Sequence, residues 1–334
     1  MPRFGLVRGN PRLVAALGIS LACLLAASGA PIVPRTGAAA KARWEWLAGR
    51  AVPAPQADAA AAAMREAESI VRAAKQRAGI AADPEAGRDP SSLIGAELTP
   101  LVTTLGSLDA KRTAADPAWA AVLTRELAAK GIVRGDFLVA SFSGSFPGLN
   151  LAVMAAAKSL GAELAAVSSV TASTWGANQP GFTWPEMEAR IVRAGLLPRA
   201  SVAVTAGGDA DLAIGLDAEG RALARAIRDE SARQLGVKVL EPANARDAVT
   251  RRMAAYRVAA NGRRIAMYIN VGGAGASLGD SAAVLRLRSG FIPALPFDRS
   301  DDRGVLARFT EQGVPALMLL NVRDLALRWG VPLG

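Results

Sequence analysis

Residues 133–157 constrain the fold more than any other part of the chain. An apolar run at 137–140 leads into a loop of small hydroxyl residues, Ser141 to Ser145, and an alanine-rich helical pattern follows from Pro147 to about Leu160. Strand, small-residue turn, helix is the first half of a βαβ unit. Such a turn leaves backbone N–H groups at a helix start which, with the hydroxyls of Ser143 and Ser145, can hold a phosphate, a carboxylate or an oxyanion. The plainer alternative is that Ser145 or a neighbour caps the helix while Gly144 supplies turn geometry.

Beyond Pro90 the pattern repeats. Helices are expected at 117–130, 147–160, 184–195, 219–235, 244–260, 303–313 and 321–329, and strands at 136–141, 163–168, 201–205, 264–270 and 315–320. Strands such as Ser201-Val-Ala-Val-Thr205 are almost wholly apolar, as strands covered on both faces are. Strand alternating with helix predicts the α/β class, a mostly parallel sheet flanked by helices.

Composition narrows the chemistry. The chain has no histidine, which removes Ser-His-Asp, Cys-His and histidine-ligated metal mechanisms together. Its one cysteine, Cys23, lies in an apolar segment near the N-terminus, so no disulfide forms within the chain. Of the net charge of +10, +6 falls in residues 1–50, around an apolar run at 13–33. Basicity placed there points to a membrane surface and away from nucleic acid. The apolar run is long enough for one crossing, and Pro31 disfavours cleavage after Ser28-Gly-Ala30, so an uncleaved single-pass anchor is expected with an N-terminal transmembrane helix. The basic cluster before it predicts a cytoplasmic N-terminus in the inner membrane and a domain facing outward. The expected organisation is an anchor at 1–33, a juxtamembrane linker at 34–56 with Trp44 and Trp46 at the interface, a helical stalk or lead-in helix at 57–90, and an α/β domain at 91–334.

In an open parallel sheet, ligands bind at the carboxyl ends of strands. Small or polar residues stand at five such ends: Ser143, Gly144 and Ser145; Ser173, Thr174, Trp175 and Asn178; Gly207, Gly208 and Asp209; Asn270, Gly272 and Gly273; and Asn321. Together they predict one composite cleft. Each also has a structural alternative, such as Asp209 capping a turn, Asn270 satisfying loop backbone or Trp175 packing a loop. The glycines after Asn270 lack the following helix and acidic residue of a dinucleotide site, and no nucleotide or metal motif is present. Upstream, Thr103 and Thr104 with Lys111 and Arg112 suit a carboxylate or phosphate, Arg112 through its two-pronged donors. For catalysis without histidine, Ser143 or Ser145 activated by Lys111, or Asp209 as general base, are the candidates.

Read in order, several segments resemble the poly-gamma-glutamate system proteins of bacterial polymer clusters. They are Thr103-Thr-Leu-Gly106 with Ala110-Lys-Arg-Thr113, Ser143-Gly-Ser-Phe-Pro147, Ala172-Ser-Thr-Trp-Gly-Ala-Asn178 followed by Phe182-Thr-Trp-Pro-Glu-Met187, Gly207-Gly-Asp-Ala-Asp211, Asn270-Val-Gly-Gly273, Gly304-Val-Leu-Ala-Arg-Phe309 and the run from Pro315 to Asn321. They span about residue 90 to the C-terminus. The resemblance implies a membrane-associated component of poly-γ-glutamate synthesis or export, with the polymer or its synthase complex as partner. It does not supply a reaction. On that footing the cleft engages the polymer or another anionic ligand. The alternatives are a γ-glutamyl amide hydrolase or transferase, and a phosphosugar-binding module built on Ser141-Phe-Ser-Gly-Ser145 if the domain is cytoplasmic.

Overall fold

A computed structural model describes residues 53–80, 89, 91–279, 281, 284, 286–294 and 304–334. The expected anchor at 13–33 and most of the linker lie outside these residues. Among the described residues, no helix is long and apolar enough to cross a membrane.

Seven strands form one sheet in the order β6-β5-β3-β2-β7-β9-β8. They are β2 (Phe137–Phe142), β3 (Glu163–Ser169), β5 (Ser201–Thr205), β6 (Lys238–Val239), β7 (Ile265–Val271), β8 (Gly290–Ile292) and β9 (Ala316–Leu319). All pairings are parallel except that of β8, which runs antiparallel to β9 at the edge. A separate parallel pair joins β1 (Val102–Thr104) to β4 (Ala172–Ser173). The chain leaves β2 toward β3, β5 and β6, then returns to the other side of β2 with β7. The strand order therefore reverses between β2 and β7, and a crevice opens there at the carboxyl ends.

Among the described residues, the helices are α1 (Ala54–Arg77), α2 (Leu108–Ala114), α3 (Ala118–Ala129), α4 (Pro147–Leu160), α5 (Trp184–Arg193), α6 (Ala218–Leu235), α7 (Ala245–Ala260), α8 (Gly275–Leu278), α9 (Val305–Glu311) and α10 (Val322–Trp329). Side chains of β2 alternate across the sheet as a pleated strand requires. Leu138, Ala140 and Phe142 join a core with Met64 and Val71 of α1, Leu123 of α3 and Trp184 of α5, whereas Phe137 and Val139 join Tyr256 of α7 and Phe309 of α9. Each such fully buried large side chain contributes about 1.5–3 kcal/mol. Met64, Ala67 and Val71 are fully buried, so α1 is a core element of the α/β unit.

Local signals explain where helices start. Asp217 accepts from the Gly220 N–H at 2.7 Å to cap α6, and Asn244 accepts from the Asp247 N–H at 3.0 Å to cap α7. Before α5, the Glu186 carboxylate accepts from the Thr183 N–H at 2.9 Å, the return half of a capping box. Glu188 of α5 is fully buried, and there it receives the N–H groups of Ala200 and Ser201 at the start of β5, as well as the Ser201 hydroxyl.

Candidate functional site

A cleft of about 540 Å³ lies at the strand-order reversal, over the carboxyl ends of β2, β3, β5 and β7. Hydroxyl side chains dominate its lining: Thr103, Thr104, Ser143, Ser145, Ser169, Thr171 and Ser173. Lys111 and Asp209 are its only charged residues among those described, and Gly208, Gly273, Gly275 and Phe146 complete much of the wall. Loops that are distant in sequence meet here because β1 pairs with β4, which sets Thr104 beside Ser173. Thr174 locks that junction by accepting from the Gly106 N–H at 2.7 Å and donating to the Gly106 carbonyl at 2.9 Å.

Lys111 sits at the base, 3% exposed. Its ammonium donates to the Ser145 carbonyl at 2.5 Å and to Ser173 Oγ at 2.6 Å, and lies 3.9 Å from the centre of the Phe146 ring. No carboxylate among the described residues forms an ion pair with it. Burial therefore acts without compensation and brings its pKa down from 10.5 to about 7. This geometry changes the expected pairing. Lys111 meets the backbone of Ser145, not its hydroxyl, and the hydroxyl within its reach is that of Ser173.

Ser143 and Ser145 hold one another and the neighbouring loop. Ser143 Oγ accepts from the Ser145 N–H at 3.1 Å, and Ser145 Oγ accepts from the Ser173 N–H at 3.0 Å. Neither hydroxyl donates to a protein acceptor among the described residues. Neither caps α4, whose first turn has no side-chain cap, so the capping alternative is not realised. Gly144 lets the loops close, since a Cβ there would stand 2.7 Å from the Thr171 carbonyl. At Gly272, with φ of +89°, a Cβ would meet that of Ser143 at 2.8 Å.

The remaining expected residues separate into builders and outliers. Asn178 is fully buried and clamps both backbone groups of Ala96. Trp175 is buried against Ile94, outside the cleft lining. Asn270 donates to the Gly272 carbonyl at 2.6 Å, and Asn321 caps α10. Arg112 points elsewhere: its guanidinium lies 3.5 Å from Asp109 and outside the cleft, because successive residues of α2 face different directions. Asp209 lies on the exposed rim, accepting from the Ala210 N–H at 2.9 Å and making no hydrogen bond to Ser143, Ser145 or Ser173.

Beneath the floor is a network that motif reading misses. Arg252 of α7 donates twice to Asp211, both at 2.6 Å, and also to Ser141 at 3.1 Å and Ser169 at 3.3 Å. The two tyrosines of the chain, Tyr256 and Tyr268, both bond to Ser141 Oγ, at 2.9 and 2.8 Å. Arg252 was discoverable from spacing. Ala248, Val249, Arg252, Met253, Tyr256 and Ala260 form the buried stripe of α7, and an arginine on such a stripe demands a buried partner. The partner, Asp211, lies in a loop where Ala210, Asp211 and Ala213 all take left-handed backbone, with φ of 52°, 61° and 53°. Non-glycine residues hold that conformation only where surroundings over-determine it.

Thr171 is 2% exposed, lines the cleft, and its hydroxyl has no hydrogen-bond partner among the described residues. Among the described residues no cluster of three or more His, Cys, Asp or Glu side chains is placed to hold a metal ion. Compared with known proteins, the chain matches no family model, no curated protein and no solved structure.

Proposed function

We propose that this protein is the membrane-anchored, outward-facing component of a poly-γ-glutamate synthesis or export system, and that its cleft processes amide bonds of the polymer as a hydrolase or transferase. The motif series and the basic–apolar N-terminal segment support the system. The observation that supports the chemistry is the 2.6 Å contact between Ser173 Oγ and a lysine that burial brings down to about 7.

A lysine in that range is half neutral at physiological pH and can act as a base. Neutral Lys111 takes the Ser173 proton as Oγ bonds to the amide carbonyl carbon. The carbon–nitrogen bond then breaks, and the departing amine takes the proton back from Lys111. Water or a second amine attacks the resulting ester, giving hydrolysis or transfer and restoring Ser173. The uncommitted hydroxyl protons of Ser143 and Ser145 are donors for the charge that develops on the carbonyl oxygen.

A binding-only cleft is the second reading, favoured by the unpartnered Thr171 hydroxyl. The phosphosugar version is weakened, because Ser141 is committed to Arg252 and both tyrosines. Full-length protein mixed with poly-γ-glutamate tests the proposal through polymer length and free amine. Shortening or chain exchange that falls by about 100-fold or more in Ser173→Ala is expected. Unchanged polymer with the wild-type protein, or full turnover by Ser173→Ala, removes the enzymatic reading.

A further inference from the structure

We infer that Asp209 is the receptor for a substrate ammonium group, so that the cleft selects an amide chain by its free amino end. This rests on the proposed amide chemistry for the identity of the chain, but the charge argument stands on the site alone. The lining carries one cation, Lys111, buried at the base beside Ser173, and one anion, Asp209, exposed on the opposite loop. Asp209 forms no ion pair with any cation among the described residues.

Its position is built. One carboxylate oxygen accepts from the Ala210 N–H and lies so close to Gly275 that a Cβ there would stand 2.5 Å away. The loop behind it is held by the Ala213 N–H to Gly207 carbonyl bond of 2.7 Å, and by the buried Arg252 gripping Asp211 two residues on. The other carboxylate oxygen has no partner among the described residues. Thr171, buried, unpartnered and in the same lining, independently marks the cleft as made to receive a ligand. A carboxylate fixed at the mouth repels the interior of a polyanion, whose residues carry only negative charge, and attracts the one place where such a chain is positive. That place is its amino end. Selection at the end predicts removal or transfer of terminal units rather than cuts in mid-chain.

The test compares a γ-glutamyl tripeptide with a free amine and its N-acetylated form. Binding to full-length protein is measured by calorimetry in the Ser173→Ala background, and turnover with the wild-type serine. The free-amine peptide should bind tighter by about tenfold or more, the size of one charge-assisted hydrogen bond in a partly open site. Asp209→Asn should bring the two peptides to equal affinity, and Asp209→Glu should retain part of the preference. Equal binding of both peptides, no binding of either, or a preference that survives Asp209→Asn overturns the inference. Selective binding without any turnover would leave the receptor standing and remove the amide chemistry. Turnover blind to acetylation would do the reverse.

Discussion

Two buried cations stand around the same cleft and meet opposite fates. Arg252 is 1% exposed and Lys111 3% exposed. Burial opposes the charge of Arg252, but Asp211, bonded to it twice, outweighs burial and holds the guanidinium charged beyond its ordinary range. Lys111 has hydroxyl, carbonyl and ring neighbours but no carboxylate, so burial alone acts and brings it to about 7. A paired cation of this kind is a fixed part of the scaffold, whereas an unpaired one titrates where cells operate. The contrast assigns Arg252 to holding the Asp209 loop and leaves Lys111 free to move a proton.

The largest effect should come from breaking the pair. Asp211→Ala leaves a guanidinium buried without its carboxylate, and stability measured by denaturant unfolding should fall by about 3–5 kcal/mol. Lys111→Met should cost less than about 1 kcal/mol, because the lost hydrogen bonds are offset by removing a poorly solvated ammonium. It should nevertheless abolish turnover. Equal losses for the two variants would erase the distinction between them.

The pH dependence sharpens the same contrast. Lys111 must be neutral to act, so kcat/KM should rise about tenfold per pH unit up to about 7 and level off above it. For stability, the unfolded lysine keeps its ordinary value of 10.5, so between about 7 and 10.5 the unfolded chain binds more protons than the folded one. The Lys111 penalty is therefore complete below pH 7 and shrinks as pH rises. Wild type should therefore gain stability from pH 7 to pH 9 while Lys111→Met does not, so the cost of the substitution should widen over that range. The smallest effect concerns Thr171. Thr171→Val removes a buried hydroxyl without a partner and should stabilise the free protein by about 1 kcal/mol in the same unfolding measurement, while weakening peptide binding.

The layered fold was legible because its signals are local. The expected strand at 201–205 is β5 as found, and those at 136–141, 163–168, 264–270 and 315–320 fall within a residue of β2, β3, β7 and β9. Their apolar runs are long and continuous enough to need no context. Strands β1, β4, β6 and β8 are two or three residues long and exist only through their partners, so nothing local announces them. The site inherits that division. Ser143, Ser145, Ser173 and Asp209 were visible as strand-end residues and Lys111 as a cation beside upstream hydroxyls, but which hydroxyl Lys111 meets depends on the β1–β4 pairing, which joins Val102 to Ala172. Arg252 sits next to Arg251 in the chain, and only the helical register separates the fully buried residue from the exposed one.

The short outer strands have a further consequence. At one edge, β6 offers two residues including Lys238, and at the other β8 offers three, running against the direction of the rest. A strand from a neighbouring molecule would find only two or three rungs to bond, next to a charge at one edge. The sheet is thus a poor template for end-to-end growth into fibres.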